Sequence, residues 1–313
     1  MEAGTHPQGA APGGFNPLGA KRRRWGEEVI RALLFIAAGI SILTTVGIVV
    51  ALLAESIPFF AEVGSRFFTD GSWGPLFADP QFGVWQLLNG TFLITGIAIL
   101  VAIPIGLASA VYLSEYAPPR VRKVVKPILE VLVGVPTVVF GYFALTFVTP
   151  EILQALGFEV KGFNALAAGL VMGIMIVPTI ASISEDAMRA VPQGLREGAY
   201  GLGSTKRQVA TRVVFPAALS GIVASIVLGI SRGIGETMIV LLAAGLQPAF
   251  GIDARDGYAT ITTFMASAAD GDNPAGTIGY QSIFACGTIL FFLTLAMNSI
   301  AIRFVRKYRQ VYD

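Results

Sequence analysis

Six long apolar runs punctuate this chain, at about residues 32–54, 89–113, 128–148, 163–184, 213–246 and 281–302. Four of them (32–54, 89–113, 163–184 and 281–302) contain no Asp, Glu, Lys or Arg. About 20 apolar residues in a helix cross the hydrocarbon core of a bilayer, where a backbone must satisfy its own hydrogen bonds. The runs therefore predict an all-α membrane protein with six transmembrane helices. Charged residues make up only 13% of the 313, against 54% hydrophobic. Soluble domains carry about a quarter charged residues, so composition points the same way.

Residues 1–20 are rich in Gly, Pro and Ala without apolar periodicity, and "KRRR" follows at 21–24. Residues 1–24 read as a disordered basic tail. The run that follows, about 32–54, exceeds the 7–15 residues of a signal-peptide core, so it predicts a retained span. Lys and Arg set orientation. They crowd the N-terminal flank, the connections near 114–127 and 185–212, and the C-terminal end, whereas the opposite side holds only Arg66, Lys161 and Arg255. Both termini are expected to face the cytoplasm of a prokaryote.

One cysteine, Cys286, and one histidine, His6, exclude a disulfide framework and leave almost nothing for a metal cluster or a hydrolytic triad. A membrane enzyme fails on that ground. No G-x4-G-K-[ST] loop occurs, so the chain is expected to bind no nucleotide. The outer segment 55–88, with "SWGPLFADPQFGVW", predicts a compact or interfacial loop, and Asp253, Asp256, Asp270 and Asp272 within 247–280 read as a solvated face. Pro104, Pro136 and Pro178 lie inside apolar runs, where they predict bends.

The fifth run spans 34 residues, about 51 Å as a helix and longer than a bilayer core needs. Its membrane part is expected near 221–246, which puts Arg232 and Glu236 mid-bilayer. A charge there costs at least about 2.5 kcal/mol. At i and i+4 on one helix the two can pair. Two readings follow: a packing ion pair, or a face bordering an aqueous anion path, where the planar fork of Arg232 suits an oxyanion and Glu236 holds the guanidinium between passages. Gly221, Ser225, Gly229 and Gly233 recur every four residues beside the pair and predict a close helix contact, within this chain or with a partner.

Residues 197–216, "EGAYGLGSTKRQVATRVVFP", form a mildly amphipathic segment that predicts a surface helix. The spacing Glu197, Ala199, Gly203, Pro216 resembles the coupling-loop motif of ABC importer permeases, with Gly198, Val213 and Phe215 as departures. "VLVGVPTVVFGYFAL" (131–145), "IPIGLASAVYLSEYAP" (103–118), "IVPTIASISEDAMRAVP" (176–192) and "SRGIGETMIV" (231–240) are similar to the phosphate-specific branch of that family, with "GETM" closest to its PstC-type subunit. The resemblance covers roughly 25–310.

The resemblance implies a type I ABC importer permease fold whose loop 193–216 carries coupling helices, with Glu197, Ala199, Gly203 and Pro216 at the ATPase contact. It implies a substrate pathway through Arg232 and Glu236, with Thr137 and Ser182 as further pathway hydroxyls. The implied partners are a second, PstA-like permease subunit, two PstB-like ATPase subunits that use ATP and Mg, and an extracytoplasmic PstS-like phosphate-binding protein. No nucleic acid is implied. Three rivals remain: the paralogous PstA-type subunit, a permease for sulfate, molybdate or another oxyanion, and a secondary carrier that couples protons through Glu236. The inverted repeat expected of a secondary carrier is not visible.

Overall fold

The computed structural model describes residues 25–77 and 79–308; the tail assigned to residues 1–24 lies outside them. Up to Val50 the described chain is a helical rod, the first part of α1 (Trp25–Val63). There Thr44 and Thr45 return their hydroxyls to carbonyls four residues back, which hides both polar groups within an apolar stretch of the rod.

From Ala51 onward the chain is a helical bundle. After α1 come a single turn, α2 (Arg66–Thr69), and a two-residue hairpin, β1 (Trp73–Gly74) and β2 (Gln81–Phe82), with Trp73 opposite Phe82. Edge-to-face rings of Phe59, Phe67, Phe82, Trp73 and Phe264 fill the space beneath the hairpin. The expectation of a compact loop over 55–88 agrees with this aromatic knot.

Next come α3 (Trp85–Val111), ending in a wide π-helical turn (Tyr112–Tyr116), and α4 (Pro119–Val133). Pro119 starts α4 at the position where a missing N–H costs nothing. Then α5 (Thr137–Phe143) runs on through a π-helical stretch (Ala144–Gln154), and α6 (Ala165–Arg189) follows. Asn164 caps α6 by accepting from the Ala167 N–H at 2.7 Å. Beyond lie α7 (Gln193–Gly201), α8 (Lys206–Val209), α9 (Phe215–Ala217), α10 (Leu219–Ile234), α11 (Met238–Ala243), α12 (Ile261–Asp270) and α13 (Ile278–Tyr308).

Two predicted spans require correction. The run 128–148 is broken at Gly134–Pro136, where proline supplies no N–H and bars the α conformation from the residue before it. Its first part belongs to α4, whose 15 residues are too short and too charged to cross, and the helix long and apolar enough to cross is Thr137–Gln154. The run 213–246 is not one helix either: Lys206–Ala217 and Leu219–Ile234 meet at 71°, and a second break separates α10 from α11. Among the described residues, five helices are long and apolar enough to cross a membrane, or six when the bent pair counts as one. Pro104 and Pro178 lie inside α3 and α6 without ending them.

The centre of the bundle is the pair α3 and α6, running parallel. Gly173 lies so close to α3 that an added Cβ would meet the Ala98 carbonyl oxygen at 2.8 Å. The small-residue ladder of α10 packs against α6 of the same chain: Gly221 on Ala187, Gly229 on Ile176 and Ile180, Gly233 on Ile176. In its middle the buried Ser184 and Ser225 hydroxyls bond at 2.7 Å. The segment 247–280, predicted to be an outer loop, is less solvated than expected. Its aspartates keep to the surface, yet Tyr258–Phe264 is buried and α12 packs on α13.

Candidate functional site

Arg232 lies just before, and Glu236 within, the break between α10 and α11. Arg232 is in the last turn of α10, where the carbonyl end of the helix favours a cation. Gly235 ends that helix, and the carboxylate of Glu236 turns to the next one, accepting from the N–H of Met238 (3.1 Å) and of Ile239 (3.3 Å) in the first turn of α11. The carbonyl of Glu236 accepts from the Thr262 hydroxyl at 2.7 Å, which holds the break to α12.

This corrects the expectation of a mutual pair on one helical face. The chain is not helical from Gly235 to Thr237, so the i, i+4 geometry is absent, and the carboxylate is taken by backbone donors. Glu236 is 8% exposed, in a crevice shared with Thr91, Thr95 and Thr260 that leaves no room for a water molecule. Arg232 is half-buried. Among the described residues it has no carboxylate at ion-pair distance; its guanidinium donates one long hydrogen bond, 3.4 Å to the Thr179 hydroxyl on α6. Near this break a cavity of about 740 Å3 opens between α11 and α12, lined by Met238, Leu241, Leu246, Ser267 and Asp270.

Thr137 is the first residue of α5 and Ser182 lies on α6, both half-buried. The hydroxyl that reaches Arg232 is that of Thr179. It follows Pro178 as Thr137 follows Pro136, and this repeated Pro-Thr step was the available signal for it.

The coupling-motif residues gather at the opposite end of α6. Glu197 is exposed on α7, and Ala199 packs against the cluster built on Met188, Val209 and Val214. Gly203 ends α7 with φ +80°, a left-handed conformation glycine adopts without strain. There the N–H of Gly203 and of Ser204 reach back to the carbonyls of Tyr200 and Ala199. Pro216 is exposed in the first turn of α9, next to the 71° bend.

Two charge networks at this end have no counterpart in the sequence reading. The Glu185 carboxylate, 1% exposed, takes Arg122 at 2.7 Å and Lys126 at 2.8 Å from α4. Lys126 also donates to Asp186. Burial would lower the Lys126 pKa, but its hydrogen bonds to Asp186 and Glu185 outweigh that and raise it. In the second network Arg196 of α7 meets Glu115 in the turn that ends α3. Polar residues at the ends of apolar runs read as solvated flanks, so only the folded chain reveals that these are buried.

At the other end of the bundle the loop charges pair locally at the surface. Lys161 is raised by its hydrogen bond to Asp256, and Asp253 is lowered to about 2 by hydrogen bonds from Arg255.

Residues 102–310 match the family described as "Binding-protein-dependent transport system inner membrane component". The chain is 33% identical over 298 residues (94% of this chain, 96% of the relative) to the "Probable ABC transporter permease protein YqgH" of Bacillus subtilis (strain 168). It is 30% identical to the "Phosphate transport system permease protein PstC" of Mesorhizobium japonicum, covering 88% of each chain. It is 31% identical to the "Phosphate transport system permease protein PstA 1" of Mycobacterium tuberculosis (strain CDC 1551 / Oshkosh), covering 95% of this chain and 94% of the relative. In fold it is similar to a chain of the bacterial alginate ABC transporter solved with its alginate-bound periplasmic protein: TM-score 0.64, 17% identity, 93% of this chain and 100% of that one. It is also similar to a chain of the inward-facing MetNI methionine ABC transporter: TM-score 0.57, 18% identity, 72% of this chain and 97% of that one.

Proposed function

Because the chain belongs to the family of binding-protein-dependent transport system inner membrane components, we propose that it is a permease subunit of an ATP-driven phosphate importer, in the PstC role. It is an ABC importer permease and not itself an enzyme; hydrolysis of ATP belongs to a separate ATPase subunit. The observation that carries the anion assignment is the Arg232 guanidinium, half-buried within a broken membrane crossing and, among the described residues, making one long hydrogen bond, to the Thr179 hydroxyl. Its fork of donors matches two phosphate oxygens. Glu236 shapes the path by fixing the break, since its carboxylate anchors α11 instead of neutralising Arg232.

The assembly is a second PstA-like permease, two PstB-like ATPases that use ATP and Mg, and a PstS-like phosphate-binding protein on the outer side. The Lys and Arg content of the end carrying α4, α7 and α8 supports a cytoplasmic position for it, and the Lys and Arg of the two flanking sequences support the same side for both termini. ATPase closure acts on 193–216, and the bundle alternates between outward- and inward-open forms. Thr137 and Ser182 are proposed as secondary polar contacts along the path.

Relatives named PstC and PstA lie at nearly equal identity, so the PstA role is the second reading. Anion competition tests the substrate: phosphate uptake by the reconstituted assembly should require ATP and resist excess sulfate and molybdate. Uptake suppressed by sulfate or molybdate would assign a different oxyanion, and uptake without any ATPase would assign a secondary carrier.

A further inference from the structure

We propose that Arg196 is the positioning residue that carries movement of the coupling segment into the membrane helices. The inference rests on reading 193–216 as the ATPase-facing segment. Among the residues of α7, Arg196 is the buried one. Its neighbour Glu197 is exposed, as expected of side chains about 100° apart around a helix. The attachment of α7 to the bundle therefore combines that buried guanidinium with the apolar contact of Ala199.

That guanidinium ties α7 to two helix ends, those of α6 and α3. Nη1 donates to the Val191 carbonyl at 2.6 Å, and Nη2 to the Met188 carbonyl at 2.8 Å. The Met188 carbonyl lies in the last turn of α6, where it also accepts from the Val191 N–H at 3.3 Å, and the Val191 carbonyl lies two residues beyond that helix. Nη2 also donates to Glu115 Oε1 at 3.1 Å, in the π-helical turn that closes α3. The carboxylate is 5% exposed and also accepts from the Ser114 hydroxyl at 2.9 Å. The fork is rigid and the site nearly dry, so these bonds resist bending and are stronger than they would be in water. Because α3 and α6 are packed backbone to backbone along their length, displacement of α7 reaches both as one body. One helical turn further up α6, Glu185 ties the same helix to α4 through Arg122 and Lys126. A plain helix cap would need only the two carbonyl bonds. The third bond, to another helix, is what makes Arg196 a transmitter.

The test uses the complete assembly in proteoliposomes, with phosphate uptake and ATP hydrolysis measured in the same vesicles for wild type, Arg196→Gln, Arg196→Lys and Glu115→Gln. Uptake per ATP hydrolysed should fall roughly three- to thirty-fold in Arg196→Gln. Arg196→Lys, which keeps the charge but not the fork, should retain more. Glu115→Gln should lower the ratio with the carbonyl bonds intact. A lowered thermal stability with an unchanged ratio in all three variants would overturn the proposal and leave Arg196 as a cap. If Arg196→Gln does not assemble, a wild-type ratio in the other two variants is the overturning result. Wild-type vesicles that hydrolyse ATP yet take up no phosphate contradict the substrate reading instead. The same ratio is then read with the anion they carry, sulfate and molybdate being tried next.

Discussion

Glu236 illustrates how a carboxylate in the break between two apolar helices can serve backbone. Its carboxylate satisfies two N–H groups at the start of α11, donors that lipid would leave unpaired. Glu236→Gln keeps an oxygen acceptor and should leave the thermal stability of the purified assembly close to wild type. Glu236→Leu orphans those donors and should cost about 1–3 kcal/mol. Equal stability of the two variants would contradict the capping role. At Gly203 the left-handed φ of +80° predicts that Gly203→Ala loses about 1 kcal/mol locally, read as faster amide exchange across α7. Arg232 and Glu236 stood out in the sequence because ionisable groups are costly inside an apolar run. Their lack of mutual contact did not, since it depends on a helix break that Gly233 and Gly235 permit but do not announce.

Among the elements, the seam between α10 and α6 leaves little room for a larger side chain. A Cβ at Gly221 would stand 2.4 Å from the Ala187 Cβ, which cannot rotate away. Gly221→Ala should therefore part the two helices at a cost of about 1–3 kcal/mol, seen as lower thermal stability of the assembly. An unchanged melting temperature would contradict this packing. The four-residue spacing of small side chains made a close contact legible, but α6 as the partner was not, because spacing says nothing about which helix approaches. Apolar length revealed the crossings at α1, α3, α6 and α13. It misplaced those around Pro136 and Ala218, where the chain bends without losing hydropathy. The turn at Asp253 and Arg255 carries a pH expectation. A carboxylate lowered to about 2 from 3.8 stabilises the folded form above 3.8, and that contribution disappears as pH falls toward 2. Protection of the Arg255 amide, which donates to Asp253 Oδ1, should be constant at neutral pH and fall only in that acid window.

For the molecule as a whole, orientation and transport can be tested separately. Cys286 is buried, so single cysteines introduced elsewhere report cleanly. Ile252→Cys, at an 88% exposed position, should react with a membrane-impermeant maleimide in intact cells, and Gly194→Cys only after permeabilisation. The reverse pattern would invert the topology and with it the placement of the coupling segment. Transport is tested most directly by phosphate uptake into proteoliposomes holding the full assembly, wild type against Arg232→Gln, with ATP hydrolysis recorded in parallel. Loss of uptake while stimulated hydrolysis persists is the predicted result. Wild-type uptake by Arg232→Gln would contradict the assignment of Arg232 to the anion path.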